Sequence, residues 1–149
     1  MTPTTQQGFE LDREFAATPS AVFAAWTTPA HFARWFGGES VRVLVDSLDF
    51  EPTVGGTWFA AMVLPDGTEM AFYGEFLDVV VDRRLVFTMT DDPDQPERVV
   101  YTVQLAPSDR GTALRLTAQA PMFDDGWREG TMRGWGAVLD VIGVIVESC

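Results

Sequence analysis

Apolar and polar positions alternate along residues 9–15, with Phe9, Leu11, Arg13 and Phe15 on one face and Glu10, Asp12 and Glu14 on the other. Successive side chains of a strand point to opposite faces, so this period of two predicts a half-buried strand whose one charged inward member is Arg13. The pattern then changes. Thr18-Pro19 and Thr28-Pro29 each place a capping hydroxyl before a proline, a pairing that satisfies free N–H groups and presets φ for the first helical turn. They predict two short helices, the first burying Val22, Phe23 and Trp26, the second running through His31, Phe32 and Trp35 to a stop at Gly37-Gly38. Beyond residue 41 the chain is strand-like. Residues 41–45 and 48–50 form one irregular strand, 58–64 and 70–80 a hairpin about Pro65-Asp66-Gly67-Thr68, and 85–90 and 99–105 two more strands. The run Leu114, Leu116, Ala118, Ala120 alternates again with Arg115, Thr117 and Gln119. Turn residues at 52–56 and 107–111, and an acidic loop at 91–97, separate these segments.

The segment 122–147 returns to a helical period. Thr131, Trp135, Leu139, Ile142 and Val146 fall on one stripe, the mark of an amphipathic helix. Asp124 or Asp125 is placed to cap its start and to meet the positive end of its dipole. Gly130, Gly134, Gly136 and Gly143 lie inside it, each weakening a helix by about 1 kcal/mol against alanine. Such a helix needs a partner along its apolar face, and alternating strands with one apolar face need a cover. Both needs are met by an α+β fold in which a curved, mainly antiparallel sheet of about six or seven strands wraps around the C-terminal helix, with the two short helices after strand 1.

Composition narrows the chemistry. A chain of 149 residues, 46% hydrophobic, is the size of one domain, assigned here to residues 8–149 behind a polar tail at residues 1–7. Twenty-two acidic residues face 10 arginines, with no lysine, for a net charge of −12. That balance argues against nucleic acid and against an anionic membrane surface, both of which are held by clustered cations. Without lysine there is no Schiff-base nucleophile and no phosphate loop ending in Lys. His31 and Cys149 are single representatives of their types, which leaves no Cys/His metal site and no disulfide. No serine stands in a nucleophile-elbow context. The N-terminal residues lack the apolar stretch of a secretion signal, and no segment approaches the roughly 20 apolar residues of a membrane span. The expectation is a cytoplasmic protein without metal or cofactor.

The run 13–35 resembles the opening of START-like (SRPBCC) proteins. Gly55-Gly56-Thr57-Trp58, the Asp66-Gly67 hairpin, Gly74, Arg84-Leu85-Val86-Phe87, Gly111-Thr112-Ala113-Leu114 and Gly134-Trp135 follow in matching order. Within that superfamily the chain is most similar, from Phe9 to Val146, to the domain family named for the activator of the heat-shock chaperone ATPase. The resemblance implies a helix-grip fold, with a cavity between sheet and C-terminal helix closed by the two short helices. It also implies a hydrophobic, often aromatic small molecule as ligand; some relatives are polyketide cyclases and some serve chaperones. Two departures stand out. Asp49-Phe50-Glu51-Pro52-Thr53-Val54 replaces the common Asp-x-Arg before the double glycine, and Trp35 is followed by Phe36-Gly37-Gly38 where proline is common. Roles tied to those positions are not carried over, and the family has no shared catalytic set to transfer.

Candidate ligand-binding residues are the inward aromatic and sulfur-bearing positions: Trp26 and Trp35 on the short helices, Trp58, Met62, Phe72, Phe87 and Tyr101 on strands, and Trp135 with Leu139 on the long helix. Regularly spaced apolar residues are most often packing. As a set beside Gly74, Gly130 and Gly134, which remove side-chain volume, they can also outline a pocket. Arg13 joins the candidates because an inward charge on a strand needs water or a partner; it either snorkels to a neighbouring carboxylate or orients an acidic or phenolic ligand. His31 reads as solvent-exposed, and Tyr101 as a hydroxyl entering the cavity in search of a partner. Three functions stay open at this point: binding of a small hydrophobic or aromatic molecule, cyclase- or aromatase-type turnover, and contact with a chaperone. A homodimer also stays open.

Overall fold

The computed structural model describes residues 8–36, 42–44, 48–92, 94, 98–120 and 125–147. In chain order it has β1 (Gly8–Phe15), α1 (Pro19–Thr27), α2 (Pro29–Trp35), β2 (Arg42–Val43), β3 (Asp49–Phe50), β4 (Thr57–Val63), β5 (Glu69–Val80), β6 (Arg84–Met89), β7 (Val99–Pro107), β8 (Thr112–Gln119) and α3 (Asp125–Glu147). The strands make one curved eight-stranded sheet in the order β1-β8-β7-β6-β5-β4-β2, with β3 also on β4. All the named pairings are antiparallel. This is the helix-grip α+β architecture, and the alternation of β1 stands as read: Phe9 and Phe15 are buried, while Glu10, Asp12 and Glu14 are exposed.

The single irregular strand expected at residues 41–50 is instead two short strands. Arg42–Val43 pairs with Val63 and Met62, and Asp49–Phe50 pairs with Phe59 and Trp58, successively along one edge of β4. That division raises the strand number to eight. Thr18 caps α1 by accepting from the Ala21 N–H at 3.2 Å, and Thr28 precedes α2 without a side-chain cap. The glycine pair expected to end α2 and Asp124, one of the two caps expected for α3, lie outside the described residues; Asp125, the other, is the first residue of α3.

The long helix lies across the inner face of the sheet and touches β1, α1 and α2. Leu139 and Ile142 are fully enclosed, with Trp135, Val138, Ile145 and Val146 also buried. At the C-terminal end the approach is close: a Cβ at Gly143 would stand 3.4 Å from the Phe15 ring. Arg13 does not enter the core. Its guanidinium turns outward to Asp140 on α3, and it also lies 3.4 Å from the Gly136 carbonyl oxygen. Beside it, Glu147 accepts from the Ala16 N–H at 2.8 Å, so β1 and α3 are fastened at a polar rim.

Gly74 shows why one strand position tolerates no side chain. It pairs with Trp58, whose indole crosses the backbone there and donates to the Thr88 carbonyl at 3.0 Å. A Cβ on Gly74 would sit 1.9 Å from that oxygen and 2.2 Å from the indole nitrogen. The absent side chain is therefore filled by Trp58 and leaves no pocket. Gly74→Ala should displace the indole and lower stability by about 2–4 kcal/mol, combining overpacking with a lost buried hydrogen bond. Urea unfolding followed by tryptophan fluorescence measures it; a loss below 1 kcal/mol, on the scale of roughly 1–3 kcal/mol for overpacking alone, counts against the account.

Candidate functional site

The aromatic side chains between sheet and helix divide into a packed interior and an open cleft. In the interior, Trp26, Trp58 and Phe87 meet Phe32, Phe50 and Phe76 around a void of only ≈ 10 Å³. Ring centroids there stand 4.8 Å apart for Phe32–Phe50, 5.7 Å for Phe32–Trp58 and 5.4 Å for Phe50–Phe76. Offset and edge-to-face contacts at these distances are the favoured aromatic geometries. The Trp26 indole nitrogen is buried there without a hydrogen-bond partner.

The cleft opens where α3 begins. It has a volume of ≈ 300 Å³ and is lined by Trp35 and Phe36 at the end of α2, Met62 from β4 and Leu64 just after it, Phe72 and Met89 from β5 and β6, and Thr131, Gly134, Trp135 and Val138 from α3. A Cβ on Gly134 would meet nothing within 4 Å, so this exposed glycine leaves room at the cleft wall; Gly130 is likewise exposed and unopposed but lies outside the lining. The walls are set by the same contacts that hold the core. Trp35 donates its indole N–H to the Ala25 carbonyl at 2.8 Å, and Trp135 stacks on Trp26 at 5.8 Å and 18°.

Of the candidates read from sequence, Trp35, Met62, Phe72 and Trp135 come together in this cleft. The others do not. Trp26, Trp58 and Phe87 are interior packing. Leu139 is fully enclosed further along the helix, and Arg13 is committed to the rim with Asp140. His31 is half-buried on α2, outside the lining. Tyr101 faces inward, as its strand parity indicates, but lies behind Trp135, their rings 5.0 Å apart. The Trp135 indole lies beside its hydroxyl and partly offsets the effect of burial on it. Phe36, Leu64, Met89, Thr131 and Val138 were missed, although most continue a visible series: Leu64 shares the parity of Met62, Met89 that of Phe87, Thr131 heads the helical stripe, and Val138 lies one turn beyond Gly134 and Trp135.

Burial pushes the Tyr101 hydroxyl up to about 12, opposed by the Trp135 indole. It is a neutral phenol at physiological pH. Among the described residues no group of three or more His, Cys, Asp or Glu gathers as a metal site requires, and no helix is long and apolar enough to cross a membrane.

A family model described as Activator of Hsp90 ATPase homolog 1-like protein matches residues 16–147. Among solved structures, protein CV1439 from Chromobacterium violaceum is similar at 26% identity over 95% of this chain and 97% of its own, with a TM-score of 0.83. The AHSA1 protein from Silicibacter pomeroyi shares 28% identity over 91% and 94% of the two chains, with a TM-score of 0.80. The AHSA1-like protein from Aeromonas hydrophila shares 25% over 94% and 92%, with a TM-score of 0.78. None of the curated proteins matches.

The raised Tyr101 value has a signed consequence. The folded protein keeps this proton more tightly than the unfolded chain, so the contribution is complete below the unfolded value of 10.0 and is lost as pH rises towards about 12. Roughly 2–3 kcal/mol of stability should disappear across that window, at about 1.36 kcal/mol per pH unit. Tyr101→Phe should remove this part of the alkaline loss, measured by urea midpoints between pH 9 and 12 (about the unfolded and folded values); an unchanged alkaline slope would overturn the assignment.

Proposed function

The chain belongs to the family described as Activator of Hsp90 ATPase homolog 1-like protein, and we propose that it binds a small, uncharged, hydrophobic or aromatic molecule in the cleft between α3 and the sheet. The observation that carries this reading is the cleft itself. Its ≈ 300 Å³ falls at the small end of the range for small-molecule sites, about 300–1,000 Å³. Its walls are aromatic rings and thioethers, and a planar ring gains both from burial and from sulfur–aromatic contact.

Among the described residues the lining contains no Arg, His, Asp or Glu. A charged ligand entering there would lose hydration without meeting a counter-ion, a penalty that favours neutral molecules. Binding is preferred to cyclase-type turnover for a related reason. Tyr101 stands behind Trp135, and Arg13 is paired with Asp140, so neither offers acid–base chemistry to a molecule in the cleft. The acidic balance of the chain and its soluble-type helices fit a cytoplasmic setting without nucleic acid or membrane as partner.

The direct test fills the cleft from its own wall. Gly134→Leu places a side chain into unopposed space and improves helix propensity by about 0.5–1 kcal/mol, so the variant should fold at least as stably as the parent. Titration calorimetry with naphthalene should show binding to the parent and at least about tenfold weaker binding to Gly134→Leu, because the ligand and the new side chain compete for one volume. Equal affinities, or a parent that takes up neither naphthalene nor any other neutral aromatic, would sink the proposal. Arg13→Leu, altered at the rim, should leave naphthalene affinity unchanged and shift stability by less than about 1 kcal/mol, the usual size of a partly exposed ion pair.

A further inference from the structure

The hydrogen-bonding capacity of the cleft is narrower than its residue types suggest. Trp35 and Trp135 both present indoles to the lining, but the Trp35 N–H is spent on the Ala25 carbonyl at 2.8 Å and the Trp135 ring lies against Tyr101, centroids 5.0 Å apart. Among the described residues the remaining lining side chains are hydrocarbon, aromatic or thioether, apart from Thr131. Thr131 is half-buried, one helical turn before Gly134 and Trp135 on the same face of α3. A threonine within a helix commonly turns its hydroxyl back to the carbonyl four residues earlier. Thr27 does this, donating to the Phe23 carbonyl at 2.9 Å. Among the described residues Thr131 makes no such bond, and its hydroxyl is not among the buried unpartnered atoms, so it remains accessible to the cleft and to water.

We infer that Thr131 is the polar discriminator of the cleft, and that the ligand is a neutral aromatic carrying a single hydrogen-bonding substituent, of the phenol or aryl ketone kind, which pairs with the Thr131 hydroxyl at the mouth while its ring lies between Trp135 and the methionines. This rests on the reading of the cleft as a ligand site and adds to it the polarity of the ligand and the residue that senses it. A hydroxyl both donates and accepts, so either a phenolic O–H or a carbonyl oxygen satisfies it. Ligands with a second polar group, or with a charge, would carry an unpaired group into an apolar wall. The selection is therefore as much against excess polarity as for one hydrogen bond.

The test compares 1-naphthol with naphthalene, two probes that differ by one hydroxyl, against the parent protein, Thr131→Ser and Thr131→Val. The quantity read is the ratio of their affinities, which cancels the difference in their hydrophobicity. Thr131→Val keeps the shape and removes the hydroxyl, and should lower the naphthol-to-naphthalene ratio by about three- to tenfold, the worth of one neutral hydrogen bond. Thr131→Ser keeps the hydroxyl and should leave the ratio unchanged. A ratio that stays the same in Thr131→Val overturns the inference while leaving the cleft reading intact, provided naphthalene still binds. Failure of the parent to bind either probe overturns both. Thermal unfolding of each variant checks that α3 remains folded.

Discussion

The fold turns on how Trp135 is held. Its ring stacks on Trp26 at 5.8 Å, and lies 6.0 Å from Trp35 and 5.0 Å from Tyr101. One side chain thus joins α3 to α1, to α2 and to the middle of the sheet. The arrangement also decides where function can reside. Because Trp135 forms the boundary between the packed aromatic interior and the open cleft, the groups behind it, Tyr101 and Trp26, act on a ligand only by fixing the wall it meets. The hydrogen bond by which Trp35 holds the wall, to the Ala25 carbonyl, also removes a donor from the cleft.

Strand parity and helical periodicity made the element order and the inward faces legible, because burial on one side of a regular element leaves a period in the sequence. The same signal could not separate core from cleft. Trp58 and Met62 have equal parity on β4, yet the first is packed among rings and the second lines open space. Parity reports the face of a sheet and carries no information about position relative to the helix that covers it. Arg13 was legible as a conflict, an inward charge, but its resolution required Asp140, a residue 127 positions away. Gly74 pointed to missing volume and left open whether it outlines a pocket or a packed interior, since only the paired strand reveals that Trp58 occupies the place.

The polar surface contributes little to this organisation. Arg115 with Asp12 and Arg84 with Asp78 join neighbouring strands through side chains that are a third or more exposed. Water and salt screen such pairs, which are worth about 0–1 kcal/mol each. The Asp12 carboxyl is held below its ordinary range by its hydrogen bond from Arg115, but both groups are solvated and the effect on folding is small. The long helix is instead held by its stripe. Burying one large apolar side chain gives about 1.5–3 kcal/mol, so the buried positions from Trp135 to Val146 together outweigh interior glycines that cost about 1 kcal/mol each.

That surplus is unevenly spread along α3, and the unevenness is the origin of the cleft. Leu139 and Ile142 are completely enclosed and Gly143 lies against the Phe15 ring, so the second half of the helix is pressed onto β1. Toward its start the stripe passes through Trp135, still buried, to Thr131, which is only half-buried, while Gly134 faces open space. The sheet curves, and a helix laid against a curved surface separates from it toward one end. Filling the gap with larger side chains would give a more stable helix and a closed protein. A glycine, a threonine and two methionines at the point of separation leave it open, adaptable in shape and nearly without polarity, which are the properties a site for a small neutral aromatic requires.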